Sequence, residues 1–251
     1  MKKQKNNLKI EILRDCLLIN NKILVISDLH IGYEEILIGR GIFPKNQLKN
    51  MINKLDDIFL SLNLKGLKIK QVIICGDLKH EFGKITNAEW KEVIKLLNYL
   101  SKKCKDIILI KGNHDNVLGP IANKKNVHLK EYYNVEGVCF IHGNKLYKNC
   151  LNDCEVVVMG HLHPAIKLSD TYKQEKYKCF LNGKWMKKQV YIIPSFNELT
   201  FGYDLTQMPD KDCNGFLIIP RKILKKFNII IYDNKNKKEY GFGKLKKLIK
   251  T

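Results

Sequence analysis

Seven histidines stand at positions 30, 80, 114, 128, 142, 161 and 163, and all but His128 fall in small Gly- or Asp-bearing clusters that follow a short apolar run. The strings are Ser27-Asp28-Leu29-His30, Gly76-Asp77-Leu78-Lys79-His80, Gly112-Asn113-His114-Asp115, Ile141-His142-Gly143 and Gly160-His161-Leu162-His163. Asp-x-His and His-x-His place two donor side chains on the same side of an extended chain, so both reach one centre. A lone carboxylate such as Asp77 has two oxygens and bridges two cations. Imidazole, carboxylate and amide donors without thiolate suit Mn first, with Fe, Zn or Ni as alternatives. Asp28, His30, Asp77, Asn113, His142, His161 and His163 make seven donors, enough for two divalent transition-metal ions sharing one bridge. Two such ions roughly 3.5–4 Å apart clamp an in-line displacement at phosphorus and lower the pKa of a shared water, so that hydroxide exists near neutral pH.

Donors of this kind must be held rigidly, and the C-terminal ends of strands in an α/β sheet do so while the adjoining loops stay open. The apolar runs Lys22–Leu29, Gln71–Gly76 and Asp106–Lys111 read as buried strands. Between the first two, Pro44 fits a helix N1 position, and Leu48, Met51, Ile52, Leu55, Ile58, Phe59 and Leu62 recur at helical spacing. Thr86-x-x-Glu89 is a capping box that opens a second helix carrying Trp90, Val93, Ile94, Leu97 and Leu100 on one stripe. After Asn126 helical periodicity fades. Short strand-like runs replace it at Val127–Leu129, Gly137–Ile141, Glu155–Met159, Lys178–Leu181, Val190–Ile193, Phe216–Ile219 and Phe227–Tyr232, with a loop expected at Met208–Gly215. With no Pro/Gly/Ser-rich linker, residues 1–251 read as one α/β domain in which each half feeds a sheet and the two sheets pack together.

Composition narrows the class. At 45% hydrophobic and 28% charged residues with only six Pro, the chain is neither disordered nor collagen-like. No apolar run approaches the eighteen or so residues of a membrane helix, and charged residues interrupt the N-terminal segment before a signal peptide develops, so a cytoplasmic protein is expected. The eight cysteines lack a C-x-x-C pair and are expected to be reduced and buried, although Cys150 and Cys154 have helical spacing. The net charge is +20, and only Arg14, Arg40 and Arg221 are not Lys among the 45 basic residues.

The ordered series Asp-x-His, Gly-Asp, Gly-Asn-His-Asp, His-Gly and Gly-His-x-His resembles the calcineurin-like metallophosphoesterase superfamily and runs from Asp28 to His163. The resemblance implies a four-layer α/β sandwich, two mixed β-sheets packed together and flanked by helices, with metals above the strand ends. It implies that Asp28, His30 and His163 hold the first metal, that Asn113, His142 and His161 hold the second, and that Asp77 bridges them. His114 is then the acid that protonates the leaving oxygen, oriented by Asp115. Gly32-Tyr33-Glu34-Glu35, Gly76 to Phe82 and Pro194-Ser195-Phe196-Asn197 resemble the prokaryotic ICC-like branch, related to phosphoesterases linked to DNA ligase. The broader pattern carries an Arg a few residues after Gly-Asp; here the segment reads Gly-Asp-Leu-Lys-His-Glu.

Other residues carry a weaker signal. His80 contacts substrate, supports a ligand or is merely exposed; Asn197 with Phe196 lines the pocket rim or makes a tight turn; Glu34 and Glu35 read as a solvated first helical turn; His128 reads as a surface residue. The expected activity is that of a dimetal phosphodiesterase. A phosphomonoesterase acting on a small phosphate or phosphoprotein is the enzyme alternative, and a catalytically silent scaffold or nucleic-acid-binding module is the non-enzyme one. Lysine-dense segments at Ser101–Lys105, Arg221–Lys226 and Lys244–Lys250, and Tyr interleaved with Lys at Tyr172–Lys178, put DNA or RNA slightly ahead of a small-molecule diester. A solvated lysine face is the plainer reading of the same segments. The oligomeric state has no sequence signal.

Overall fold

The computed structural model describes residues 8–41, 46–121, 127–169, 171, 173–208 and 218–249. The first half of the chain supplies β1 (Ile10–Leu13), β2 (Cys16–Ile19), β3 (Ile23–Ile26), α1 (Tyr33–Gly39), α2 (Gln47–Leu64), β4 (Gln71–Cys75), α3 (Asn87–Lys103), β5 (Asp106–Ile110) and β6 (His128–Lys130). Its six strands form one sheet in chain order, antiparallel from β1 to β3 and parallel from β3 to β6. The second half supplies β7 (Tyr133–Val135), β8 (Val138–Ile141), α4 (Lys148–Asn152), β9 (Val156–Met159), β10 (Pro164–Ser169), β11 (Gln174–Lys178), β12 (Phe180–Trp185), β13 (Lys188–Ile192), β14 (Tyr203–Asp204), α5 (Arg221–Leu224), β15 (Asn228–Asp233) and β16 (Lys238–Lys244). Seven of these make a second mixed sheet in the order β16-β15-β12-β13-β9-β8-β7, and β11-β10-β14 form a small third one.

Side-chain alternation along each strand builds the layers. On β3, Leu24 and Ile26 face α2 and α3, whereas Ile23 and Val25 face the opposite sheet. On β8 the pattern repeats: Val138 and Phe140 point to the first sheet, Cys139 and Ile141 to the outer layer with α4 and α5. The result is the expected four-layer α/β sandwich. The α3 capping box is present as the sequence predicts, with Thr86 Oγ1 accepting from Glu89 N and the Glu89 carboxylate accepting from Thr86 N. Among the described residues no helix is long and apolar enough to cross a membrane.

Some expectations shift. Helix α2 begins at Gln47 after Asn46, and Pro44 lies outside the described residues. So do Tyr172, Phe216 and Leu217, and with them most of the expected Met208–Gly215 loop; Ile218 and Ile219 form a bend rather than a strand. Glu34 is buried, not solvated, because its Oε2 accepts the backbone N–H of Gln47 at the start of α2; Glu35 is exposed. The expectation that every cysteine is reduced is corrected at one pair: Cys139 on β8 and Cys150 on α4 form a disulfide, their Cα atoms 5.7 Å apart. The chain reverses after β8 and lays α4 back on the same apolar face that Cys139 joins, which brings the two together. Cys16, Cys75, Cys104, Cys154 and Cys179 are free and buried.

Candidate metal centre

Five strand ends converge on one cleft. β3 leads into Asp28 and His30, β4 into Asp77, β5 into Asn113 and His114, β8 into His142, and β9 into His161 and His163. Parallel pairing carries the ends of β3, β4 and β5 to one edge of the first sheet, and that of β8 and β9 does the same in the second. The ligand segments then leave regular strand geometry. Of twelve described non-glycine residues with positive φ, five are Asp28 (55°), His30 (45°), Asp77 (48°), His161 (65°) and His163 (46°). Each left-handed residue costs about 1–2 kcal/mol, so a dense network must hold it.

That network is visible. Asp28 N donates to Gly76 O at 3.0 Å, His30 N to Asp77 O at 2.9 Å and Ile31 N to Leu78 O at 2.9 Å, stitching the first two motifs together beyond the strands. Across the sheets, His161 N donates to Asp28 Oδ2 at 3.0 Å, and within the first sheet's loops His114 N donates to Asp77 Oδ1 at 2.9 Å. Glycine is required at the closest approaches. A Cβ on Gly160 would lie 1.8 Å from Ser27 Oγ, and one on Gly76 (φ +88°) 2.2 Å from His142 Nδ1.

Among the described residues, three clusters of donors lie close enough to hold an ion, His30 with His80 and His114 being one, and the two that gather the predicted ligands share Asp77. Asp28, His30, Asp77 and His163 form one, and Asp77, His142 and His161 the other, each with all ligand atoms within 4.8 Å of one another. Asn113 Oδ1 joins the second, 3.0 Å from His142 Nε2. Asp28 Oδ1 lies 3.1 Å from His163 Nε2, and Asp77 Oδ2 3.3 Å from His142 Nε2. Imidazole nitrogens also face one another, His30 Nε2 to His163 Nε2 at 3.2 Å and His142 Nε2 to His161 Nδ1 at 3.1 Å. Lone pairs aimed at a common point are a poor arrangement for neutral rings and a good one around a cation. His142 Nδ1 donates to Cys75 O at 2.9 Å, which fixes the tautomer and leaves Nε2 as the ligand atom. The donor set therefore fits divalent cations, and it contains no thiolate.

Charge follows the same geometry. Burial alone would raise both carboxylates, but His163, His142 and Ser27 outweigh it at Asp28, and His142 and His30 at Asp77, so both are held below the usual range. Burial, then the neighbouring His163, keeps His30 neutral. Burial also works against charge on His142, but the hydrogen bond and charge of Asp77, with Asp28, lift it to about 9.

The remaining predicted residues take other places. His114 lines the cleft, its Nε2 3.8 Å from Asp77 Oδ2 and its Nδ1 donating to His80 O. The hydrogen bonds of Asp115 go elsewhere: its carboxylate accepts from Leu78 N at 3.0 Å, Gly112 N at 3.0 Å and Lys79 N at 3.4 Å, tying the second motif to the third. Burial, then the charge of Asp77, raises Asp115 to about 6. His80 is half-buried, its Nδ1 3.2 Å from His30 Nδ1. Asn197 is buried off the cleft, Oδ1 accepting from Leu199 N. His128 is exposed on β6, away from these groups.

Further residues, some of them in the motifs above and some without a sequence signal, support and rim the site. In the Pro194–Asn197 turn, Ser195 Oγ donates to Asp28 O at 2.7 Å and Phe196 N to Ser27 O at 2.8 Å. Two lysines, Lys54 buried and Lys178 half-buried, grip the turn: Lys178 Nζ donates to Ser195 O at 2.8 Å and Asn197 O at 2.5 Å, and Lys54 Nζ to Phe196 O at 3.2 Å. Burial pushes Lys178 down to about 8. Phe82, Asn144, Lys145 and Tyr203 complete a cleft of about 520 Å³.

Comparison with known proteins bears on this arrangement. The family described as Calcineurin-like phosphoesterase matches residues 21–188, two thirds of the chain. The crystal structure of the Pseudomonas putida nuclease MPE is similar at 20% identity and TM-score 0.60, covering 90% of this chain and 93% of that one. A Vps29 single mutant from Entamoeba histolytica matches at 13% identity and TM-score 0.38, covering 88% and 99%. The phosphoesterase YfcE of E. coli matches at 15% identity and TM-score 0.36, covering 84% and 88%. No curated protein sequence matches the chain.

Proposed function

This chain belongs to the calcineurin-like phosphoesterase family, and from that premise we propose that it is a dimetal-dependent phosphodiesterase that takes nucleic acid as substrate. The observation that carries the reading is Asp77, the one residue common to both metal-binding groups. Asp28, His30 and His163 would hold one cation and Asn113, His142 and His161 the other, with Asp77 between them. Manganese is the favoured ion, because imidazole, carboxylate and amide donors suit it and no thiolate competes. When bound, two such cations supply a hydroxide nucleophile near neutral pH and neutralise charge on the phosphoryl oxygens.

The chain's own residues do the rest. The His80 carbonyl holds the Nδ1–H of His114, so that Nε2 faces the cleft. Protonated there, His114 delivers its proton to the departing alkoxide, which a diester needs more than an aryl phosphate does. Asp115 acts on the loops rather than on the ring. Lys145 on the rim and the net charge of +20 favour a polyanion, and the similar fold of a bacterial nuclease is in keeping with this.

The test is hydrolysis of a synthetic diester, a monoester and a polynucleotide by chelated protein with Mn²⁺, Fe²⁺, Zn²⁺, Ni²⁺ or Ca²⁺ added back. Mn²⁺ or a related transition ion should restore diester cleavage, and Ca²⁺ should not. Full turnover by metal-free protein would overturn the metal-dependent reading; preference for the monoester would overturn the diesterase part of it.

A further inference from the structure

Helices α1 and α2 meet beside the first motif, and each begins without a side-chain cap of its own, at Gly32 and Asn46. The first N–H groups of a helix need partners from outside it. Gln47, the first residue of α2 and 3% exposed, supplies them for α1: its Oε1 accepts from Gly32 N at 3.2 Å and Glu34 N at 3.3 Å. Glu34 returns the contact, its Oε2 accepting from Gln47 N at 3.0 Å. A cap needs no more than that amide oxygen, yet the other half of the amide is spent as well. Gln47 Nε2 donates to His30 O at 2.7 Å and to Leu29 O at 3.3 Å. Two N–H groups on one side and two carbonyls on the other fit a single orientation of the amide and use all of it.

His30 is the residue this arrangement serves. Its backbone is left-handed, with φ at 45°, and its N–H donates to Asp77 O at 2.9 Å. With Gln47 on its carbonyl, the strained residue is held from both sides, and the direction of the imidazole follows from that backbone. Asp28, the other ligand of the motif, is reached from the same helix: Lys54, about two turns further along, donates to Phe196 O, and Phe196 N donates to Ser27 O. The second group of ligands is tied elsewhere, His142 Nδ1 to Cys75 O and His161 N to Asp28 Oδ2. From this juxtaposition, and resting on the reading that Asp28, His30 and His163 hold one cation, we infer that Gln47 is a positioning residue for that cation. It aims His30 and sets the affinity of the first site, not of the second.

The experiment measures Mn²⁺ binding by equilibrium dialysis in the wild-type chain and in Gln47→Met, which nearly keeps the volume and removes both halves of the amide. Each measurement is repeated with His161→Ala, which disables the second site, and with His163→Ala, which disables the first. Gln47→Met should weaken one of the two wild-type cations by roughly 10–100-fold, the usual scale for a group that orients a metal ligand, and leave the other unchanged. The weakened cation should be the one that survives His161→Ala, and the binding left in His163→Ala should not respond. Two cations at wild-type affinity in folded Gln47→Met, or equal weakening of both, would overturn the inference, since a helix cap without a positioning role loosens the whole cleft or none of it. If Gln47→Met does not fold, Gln47→Asn keeps an amide one methylene short of the carbonyls and is read in the same way. A wild-type chain that binds fewer than two Mn²⁺ overturns the dimetal reading itself; two wild-type cations with no selective loss overturn this inference alone.

Discussion

The floor of the cleft is made of strand ends and its rim of loops, and the chain holds the two with very different force. Asp28 and Asp77 on the floor are 0% and 2% exposed, pinned in left-handed geometry by backbone and side-chain hydrogen bonds from three other motifs. Phe82 and Tyr203 on the rim are 58% and 37% exposed. The contrast separates two jobs. A cation pair tolerates little error in ligand position, so its donors sit where strained backbone is over-determined by its neighbours. Substrate choice needs only a surface of suitable shape and charge, which loops supply and can change without disturbing the chemistry beneath.

The largest effect should come from the floor. Asp77→Ala removes the residue shared by both donor groups, and diester turnover should fall to background; a near-normal rate would break the contrast at its strongest point. His114→Ala should lower the rate on an alkyl diester by roughly 10²–10⁴ with metal content unchanged. With a nitrophenolate leaving group, which departs without a proton, the loss should shrink. Equal losses on both substrates would mean that His114 positions the phosphate instead.

Protons compete with the metals for the floor. In metal-free protein His142 keeps its proton up to about 9, and a cation must displace it. Apparent metal affinity should therefore rise as pH increases, by roughly tenfold per unit below that value, and level off above it. Calorimetric titration in buffers of different ionisation enthalpy reads the released proton. An affinity independent of pH between neutrality and 9 would remove His142 from the ligand set.

Two changes of smaller size separate support from rim. Lys178→Met leaves the carbonyls of Ser195 and Asn197 without their lysine donor and should cost about 1–3 kcal/mol of stability by denaturant unfolding. The same variant should lower kcat through the Ser195–Asp28 contact. Lys145→Ala should leave stability nearly unchanged and flatten the salt dependence of oligonucleotide binding by about one unit of log–log slope. A stability loss at Lys145 equal to that at Lys178 would erase the distinction between support and rim.

The floor was legible in the sequence because its residue types are unusual where they stand. A His or Asp directly after a buried apolar run has few structural uses, and five such strings in order leave little else to read. The support was not legible. Lys54 lies on the buried side of α2 and Lys178 at the end of an exposed strand, and in a chain with 42 lysines neither stands out. Ser195 and Asn197 were noticed as part of a motif, but its partners come from residues 27, 28, 54 and 178, which no local spacing connects. Among the elements, β3, β4 and β5 were clear from continuous apolar runs. The hairpin β10–β11 and the edge strand β16 were missed because Lys, Glu and Tyr on their exposed faces hide the alternation. The Cys139–Cys150 bond depends on where α4 docks, a tertiary fact.

Two cations sharing Asp77 are the centre of the proposed chemistry, and counting bound Mn²⁺ tests for them directly. Equilibrium dialysis with elemental analysis should find two per chain in the wild type and fewer than two in Asp77→Ala, with both proteins folded by circular dichroism. One cation in the wild type, or two tightly bound cations in Asp77→Ala, would contradict it.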